Sequence, residues 1–244
     1  MRALVVLSGG QDSTTCLFWA KQFWSKVHAI TFDYGQRHRI EIESAIKVAE
    51  LANVESHEIV QIPNVLKSTS PLTSNTRLEQ YDSFAQMNDT IGDRVELTFV
   101  PMRNPFFLTV AVNRAVALNC FDIITGICQE DNANYPDCTE NFRHNFQHMV
   151  NLALRPPSPI RIVAPLMHCS KADTVRMAHT MPACWEALAY SHTSYDGKYP
   201  PTDKNHANVL RAQGFLDAGL PDPLVLRAVE EGLMKLPETS NYRF

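Results

Sequence analysis

Residues 3–13 read ALVVLSGGQDS, an apolar run that turns at once into a polar, glycine-rich loop. A short continuous apolar run is typical of a strand that is covered on both faces of a parallel sheet. Residues 14–24 place apolar side chains such as Leu17 and Trp24 at helical spacing, and residues 27–32 (VHAITF) form a second apolar run. The segment therefore predicts a strand, loop, helix and strand, which together make a βαβ crossover.

The same alternation continues along the chain. Stretches with helical periodicity follow short runs that are typical of strands, a pattern that indicates a parallel sheet with helices on both faces. The sequence predicts an α/β fold: a doubly wound, Rossmann-like parallel sheet of five strands with a small helical C-terminal region. The further predicted strands are residues 58–62, 121–127 and 160–163, and the further predicted helices are residues 38–51, 105–118, 138–154, a stretch after Lys171, a stretch that ends near Leu216, and residues 224–234.

The chain length of 244 residues suits one large domain with a small appendage. We assign residues 1–180 to the α/β domain and residues 181–244 to the helical C-terminal region. Residues 63–94 are polar and rich in Ser, Thr, Asn and Asp. Such a composition indicates an excursion from the sheet, so we interpret this segment as a mobile flap.

Composition excludes several classes of protein. A net charge of −4 and a pI near 6.1 give no overall attraction to nucleic acid. The apolar run at the amino terminus is too short for a signal peptide or a membrane span, so we expect a cytoplasmic protein without membrane association. The six cysteines contain no CxxC pair, which argues against a disulfide framework and against a zinc knuckle.

The loop at residues 8–13 (SGGQDS) carries the clearest chemical signal. It follows the first predicted strand, where open α/β sheets place their ligands. Adjacent glycines allow close approach of the backbone, and the helix start and the two serine hydroxyls supply donors, so the loop can hold an oligophosphate. The alternative is a turn in which Asp12 or Ser13 only caps the helix. The complete SGGxDS string resembles the PP-loop of N-type ATP pyrophosphatases.

Four further segments resemble the QueC family of queuosine biosynthesis, the 7-cyano-7-deazaguanine synthases. All four lie at predicted strand ends, around the same edge of the sheet as the loop. The resemblance therefore covers nearly the whole chain. The segments are residues 32–38 (FDYGQRH), 100–104 (VPMRN), 135–138 (YPDC) and 164–166 (APL) with Lys171.

The resemblance implies an ATP-dependent carbon–nitrogen ligase. In this family the loop grips the pyrophosphate of ATP, commonly with Mg²⁺, and the carboxylate of 7-carboxy-7-deazaguanine takes AMP. An amine then displaces AMP. Ammonia does so in the family, and a second activation converts the amide to the nitrile. The family is often dimeric, so a homodimer is expected.

The resemblance also assigns roles to individual residues. A guanidinium fork pairs well with a carboxylate, which suits Arg103. Each role has a simpler alternative: a surface ion pair for Arg103, helix caps for Asn104 and Asp137, and a solvated cation for Lys171. The implied nucleotide-binding residues are Ser8, Gly9, Gly10, Gln11, Asp12, Ser13, Asp33 and Tyr34; the implied catalytic residues are Asp12, Ser13, Arg103 and Lys171; the implied substrate-binding residues are Arg103, Asn104, Tyr135 and Asp137.

The chain departs from the family at its zinc site, which is built by four cysteines. The surrounding sequence is kept, but the four positions hold Ser194, Thr202, Asn205 and Asn208. Hydroxyl and amide groups cannot replace thiolates as tight tetrahedral ligands, so we expect no structural zinc. The alternative is a different metal site at His192, His206, Asp203 and Cys184, but their spacing follows no recognised pattern, so we assign no metal ligand in this region. Met102 and Thr139 also differ from the family near the expected substrate pocket.

These departures leave the acceptor and the final product open. One alternative is a specialised paralogue that joins the activated deazaguanine to an amine of a protein or another macromolecule, for example in antiphage defence or nucleic-acid modification. Another is a catalytically silent nucleotide-binding module, which the intact Ser8, Asp12 and Ser13 argue against. A sulfur-transferring PP-loop enzyme would need a reactive cysteine pair and a basic RNA-binding face, and the sequence has neither a CxxC pair nor a basic charge balance.

Overall fold

The fold is built on a parallel sheet of five strands. The structure is a computed structural model, and it describes residues 1–35, 39–63, 65–74, 76–129, 133–155 and 159–243. The strands are β1 (Arg2–Val6), β2 (Lys26–Asp33), β3 (Ser56–Gln61), β4 (Asp122–Ile124) and β5 (Arg161–Val163). Their order is β3-β2-β1-β4-β5, and every neighbouring pair is parallel. The predicted five-stranded α/β fold is confirmed.

Helices cover both faces of the sheet. Side chains of β1 alternate between the two layers: Ala3 and Val5 pack with one apolar cluster, whereas Leu4 packs with the other. This alternation explains why the strand is apolar at successive positions. No helix in the described residues is both long and apolar enough to cross a membrane. The helices are α1 (Gln11–Phe23), α2 (Ile40–Leu51), α3 (Phe84–Ile91), α4 (Arg103–Ala117), α5 (Glu140–Leu154), α6 (Lys171–His179), α7 (Pro182–Leu188), α8 (His206–Ala218) and α9 (Pro223–Glu230).

The arrangement of the layers creates a crevice beside β1. Buried residues of α1, α2, α6 and α7 belong to one cluster, and buried residues of α4 and α5 belong to the other. The chain therefore leaves β1 toward one face and leaves its neighbour β4 toward the opposite face. In open α/β sheets this divergence opens a ligand crevice at the carboxyl ends of the two strands.

Some element boundaries differ from the sequence prediction. Strand β4 ends at Ile124, earlier than the predicted 127. The chain leaves the sheet there and passes so close to α1 that a Cβ on Gly126 would lie 3.2 Å from the amide nitrogen of Ser13. The helix start predicted at His38 lies outside the described residues, and α2 is described from Ile40.

The described residues of segment 63–94 lie outside the sheet, and they contain a helix that the sequence analysis missed. Met87 and Ile91 of α3 are buried against Leu210 of α8, together with Tyr81. The Tyr81 amide also donates to the Lys204 carbonyl at 2.8 Å. The polar composition concealed α3 because only a few apolar side chains anchor it to the C-terminal region.

A buried ion pair joins the last two helices. The Arg211 guanidinium donates from Nε to Asp222 Oδ2 at 2.6 Å and from Nη2 to Asp222 Oδ1 at 2.8 Å. Its Nη1 donates at 2.9 Å to the hydroxyls of Ser191 and Thr193. Asp222 also accepts from the Leu224 amide at the start of α9. Because both charges are almost fully buried, removal of either one leaves the other without compensation.

We therefore predict that Arg211→Ala lowers the free energy of unfolding by about 3 to 5 kcal/mol. The exposed pair between Lys26 and Glu55 provides the control, because solvent screens its attraction and Lys26→Gln is expected to change stability little. Urea unfolding of both variants measures the difference. Equal stability of the two variants would show that the buried pair does not join the helices in the way described.

Candidate functional site

The loop after β1 is closed on itself by its two serines. The Ser8 amide donates to Ser13 Oγ at 3.1 Å, and the two hydroxyl oxygens lie 3.0 Å apart. Helix α1 begins at Gln11, behind Gly10, which has no side chain to cap it. A bound anion can therefore take the place of a capping group at this helix start.

Gly9 packs the loop against helix α2. Its φ of +84° lies in the region that favours glycine, and an added Cβ would stand 2.4 Å from the carbonyl oxygen of Glu41 and 2.7 Å from the amide nitrogen of Ala45. Its carbonyl accepts from the His192 amide at 2.9 Å. Gly9 thus packs against the first turns of α2 and is not part of the cavity wall, whereas Gly10 is.

A cavity of about 300 Å³ opens in front of the loop, at the carboxyl ends of β1, β2 and β4. It brings together residues that are distant in sequence, from the loop, α4, α6 and the C-terminal region. Most of the residues that the sequence analysis selected line it. These are Ser8, Gly10, Gln11, Asp12, Ser13, Tyr34, Arg103, Asn104, Tyr135 and Lys171.

An ion pair lies at the end of the cavity next to the loop. Lys171 Nζ, at the start of α6, is 2.9 Å and 3.1 Å from the two carboxylate oxygens of Asp12. The Lys171 side chain is only 11% exposed, so it is not the solvated cation that the sequence left possible. Gly214 of α8 makes room for it, since a Cβ there would lie 2.5 Å from Lys171 Cγ.

Arg103 and Asn104 begin α4 on another part of the cavity wall. They follow Met102, whose φ of +63° is left-handed. The Asn104 amide nitrogen Nδ2 donates to the Asp137 carbonyl at 3.3 Å, and the Asn104 backbone amide lies 3.4 Å from Asp137 Oδ2. Burial raises the pKa of Asp137, while Arg103 and the Asn104 contacts oppose that rise.

Two acidic residues assigned from the sequence do not line the cavity. Asp137 is buried next to Asn104, and Asp33 accepts from the Gly35 amide at 3.4 Å. Tyr135 does line it, and its hydroxyl lies 2.5 Å from the hydroxyl of Thr98. The proposed contacts of Asp33 and Asp137 with ligands therefore remain predictions.

The sequence analysis missed several residues of the cavity wall. Glu41 of α2 is one, and burial raises the pKa of its carboxyl group to about 7 against the opposing charge of Arg103. Polar residues of the C-terminal region also line the cavity: His192, Thr193, Tyr195, His206 and Arg211. The retained sequence around the lost cysteines was the signal that could have placed this region at the site.

Three of the four positions at which the resemblance implied zinc cysteines surround a carboxylate. Ser194 Oγ, Asn205 Nδ2 and Asn208 Nδ2 all donate to the side chain of Asp203, and Asn205 Oδ1 accepts from the Asn208 amide at 3.1 Å, capping α8. Thr202 is exposed. Among the described residues, no group of three or more His, Cys, Asp or Glu side chains is arranged to hold a metal ion. We call Asp203 with its three donors the Asp203 cluster.

Comparison with known proteins identifies close relatives. Residues 2–219 match the family model described as queuosine biosynthesis protein QueC. A 7-cyano-7-deazaguanine synthase of Laribacter hongkongensis is 46% identical over 229 residues, 92% of this chain and 94% of that protein. Another, from Gloeobacter violaceus, is 43% identical over 226 residues, 91% of this chain and 95% of that protein. The solved structure of a 4-thiouridine synthetase–RNA complex with bound ATP superimposes with a TM-score of 0.49 at 16% identity. The match covers 95% of this chain and 53% of that chain, and it is too distant to bear on function.

The packing at Gly9 predicts that Gly9→Ala is far more damaging than the same change at Gly232. Both glycines have positive φ, but nothing lies within 4 Å of a Cβ added to Gly232. Gly232→Ala should cost about 1 kcal/mol of backbone strain, whereas Gly9→Ala must also displace α2. Chemical unfolding compares the two variants. A Gly9→Ala protein as stable as Gly232→Ala would contradict the close contact.

The Asp203 cluster predicts that Asp203→Ala lowers the free energy of unfolding by about 1 to 3 kcal/mol, because three donors lose their acceptor. Asp217→Ala is the matched control, since Asp217 is exposed on α8. Thermal unfolding should show a clear loss for the first variant and little change for the second. An unchanged Asp203→Ala protein would mean that other contacts hold this region.

Proposed function

The chain belongs to the QueC family of queuosine biosynthesis proteins, and we propose that it adenylates the carboxylate of 7-carboxy-7-deazaguanine with ATP and couples the product to an amine. The family membership makes it a carbon–nitrogen ligase with a QueC-like role in queuosine biosynthesis. The observation that carries the proposal is the cavity, in which the loop of residues 8–13 and the partly buried guanidinium of Arg103 line the same space.

ATP is proposed to bind with its β- and γ-phosphates at residues 8–13. The backbone at Gly10, the hydroxyls of Ser8 and Ser13 and the start of α1 supply donors there, and Lys171 adds a positive charge. Held in this way, the pyrophosphate is a stabilised leaving group, and the α-phosphorus remains open to attack. Gly9 and Gln11 complete the loop. The adenosine would lie near Tyr34 at the end of β2, with Asp33 at the same strand end.

The substrate carboxylate is proposed to pair with Arg103. A carboxylate oxygen then attacks the α-phosphorus, the bond between the α-phosphorus and the pyrophosphate oxygen breaks, and an acyl adenylate forms. Asn104 and Tyr135 offer polar groups to the deazaguanine on the same wall of the cavity. Asp137 holds the Asn104 side chain in place, because its carbonyl accepts a hydrogen bond from Asn104 Nδ2. An amine then displaces AMP to give the amide. With ammonia, a second activation would dehydrate the amide to 7-cyano-7-deazaguanine.

Mg²⁺ is proposed to accompany ATP. It is usually held by phosphate oxygens, water and one or two carboxylates, and Asp12 is a carboxylate within the loop that would supply such a contact. The ion would neutralise charge on the phosphates. By contrast, we propose that the protein binds no structural zinc, because its Asp203 cluster presents oxygen and amide groups at the positions of the family's cysteines. One zinc per chain in metal analysis would contradict this part of the proposal.

The assay for the proposed function incubates the protein with ATP, Mg²⁺ and 7-carboxy-7-deazaguanine, with and without ammonia. We expect pyrophosphate and AMP, and with ammonia an amide or nitrile in the product mass spectrum. AMP without either product would favour the alternative in which a protein or another macromolecule supplies the amine. No AMP with any deazaguanine would reject the proposal. Size-exclusion chromatography with light scattering tests the homodimer expected from the family.

Substitutions in the loop provide the matched test. Asp12→Ala and Ser13→Ala should each slow pyrophosphate release by about 100-fold or more, because they remove groups that organise the phosphate site. Ser25→Ala is the control, since Ser25 is exposed between α1 and β2, at the opposite end of α1 from the loop. Unchanged turnover in both loop variants would show that the phosphates bind elsewhere.

A further inference from the structure

Glu41 is a cavity residue to which the reaction described above gives no task. It is the second residue of α2, and its backbone carbonyl lies against Gly9 of the phosphate loop. Its side chain lines the cavity together with Tyr34, Arg103 and Tyr195. Glu41 is therefore close to the place where the loop holds the phosphates and where the adenylate forms.

The carboxylate of Glu41 lacks a hydrogen-bond donor among the described residues of the protein. Glu41 is only partly buried, so its carboxylate, which when ionised can only accept hydrogen bonds, is open to a donor from the cavity. Burial raises the pKa of Glu41 to about 7, and Arg103 opposes the rise. Near neutral pH the carboxyl group is therefore present in both its neutral and its ionised form. A ligand that donates a hydrogen bond would stabilise the ionised form.

The charges of the bound reactants restrict what this donor can be. The phosphates of ATP and the carboxylate of the substrate are anions, and an ionised Glu41 beside them is unfavourable unless a cation lies between. The hydroxyl groups of Tyr34 and Tyr195 are close enough to Glu41 that its charge contributes to the raised pKa of each, after the larger effect of burial. Aromatic rings beside a carboxylate favour a monovalent ammonium ion.

A divalent cation fits this place less well. Mg²⁺ keeps an octahedral shell of oxygen ligands, most of them water and phosphate. The wall around Glu41 consists instead of tyrosine rings and the Arg103 guanidinium, which repels a divalent cation more strongly than a monovalent one. The nucleophile of the second half-reaction, by contrast, is supplied as ammonium and must lose a proton before its nitrogen can attack.

We propose that Glu41 binds the ammonium ion that supplies the amine and accepts the proton whose loss makes its nitrogen nucleophilic. This inference rests on the proposed function and concerns only its second half-reaction. The nitrogen forms a bond to the carbonyl carbon of the adenylate, and the bond from that carbon to the AMP oxygen breaks, so that AMP leaves with the electron pair. Of the two protons lost between ammonium and amide, the first goes to Glu41 and the second to water.

The experiment compares Glu41→Gln with Glu43→Gln. Both residues lie in the first turn of α2, but Glu43 is exposed and outside the cavity. In Glu41→Gln, kcat/KM for ammonium at a fixed pH should fall by about 100-fold, the usual size of a proton-transfer contribution. Single-turnover release of pyrophosphate without ammonium should stay within about twofold of the wild type, since the adenylation step does not use Glu41.

Hydroxylamine provides a readout that a structural defect would not give. It is largely uncharged at neutral pH, so it needs neither the cation site nor a strong base. With hydroxylamine in place of ammonium, Glu41→Gln should form the hydroxamate at nearly the wild-type rate. Glu43→Gln should resemble the wild type with both nucleophiles.

Three results would overturn the inference. The first is a kcat/KM for ammonium in Glu41→Gln that equals the wild-type value. The second is a fall in the rate of pyrophosphate release as large as the fall in kcat/KM for ammonium, which would place Glu41 in the first half-reaction. The third is a shifted Mg²⁺ requirement with an unchanged ammonium response, which would make Glu41 a metal ligand. Failure of the proposed function is distinguishable, because the wild-type protein would then release no pyrophosphate at all.

Discussion

The fold of the site depends on the close backbone contact between Gly9 and the first turns of α2. The loop after β1 is held on this side by α2, on another by the His192 amide, and on a third by the chain at Gly126, which lies against the start of α1. Only the remaining side opens into the cavity. Because backbone atoms make these contacts, they depend on glycine at two positions and not on any particular side chain. Helix α2 thereby also brings Glu41 next to the loop after β1.

The C-terminal region forms a wall of the cavity. Gly214 leaves room for the aliphatic part of the Lys171 side chain, and the Arg211–Asp222 pair joins α8 to α9. His206, just after the Asp203 cluster in the sequence, lines the cavity. A metal-bound tetrahedron of thiolates places a cation at its centre, with anionic ligands around it. The Asp203 cluster has the inverse pattern, an acidic group surrounded by donors. The same loop is thus cross-linked by hydrogen bonds among short polar side chains.

The five strands and the position of the loop could be predicted from the sequence because most of the strands lie in short apolar runs and the loop follows the first of them. Helix α3 could not, since its anchoring side chains, such as Met87, are separated by polar residues and find their partner Leu210 far along the chain. For the site, the sequence selected residues by type and motif. Arg103 and Lys171, which were selected in this manner, do line the cavity. Asp137 was selected because a carboxylate can accept hydrogen bonds from a base, but it lies behind Asn104 and outside the cavity wall. Glu41 was missed because a glutamate in an amphipathic helix looks like a surface residue until the packing at Gly9 is known.

The central claim is that the substrate carboxylate itself takes AMP. The most direct measurement uses 7-carboxy-7-deazaguanine labelled with ¹⁸O in both carboxylate oxygens and follows the label after a single turnover with ATP and ammonia. Adenylation predicts that one ¹⁸O appears in AMP, because the carbon–oxygen bond breaks when nitrogen attacks, and that pyrophosphate stays unlabelled. Label in inorganic phosphate together with ADP would show transfer of the γ-phosphoryl group instead, and would contradict the account.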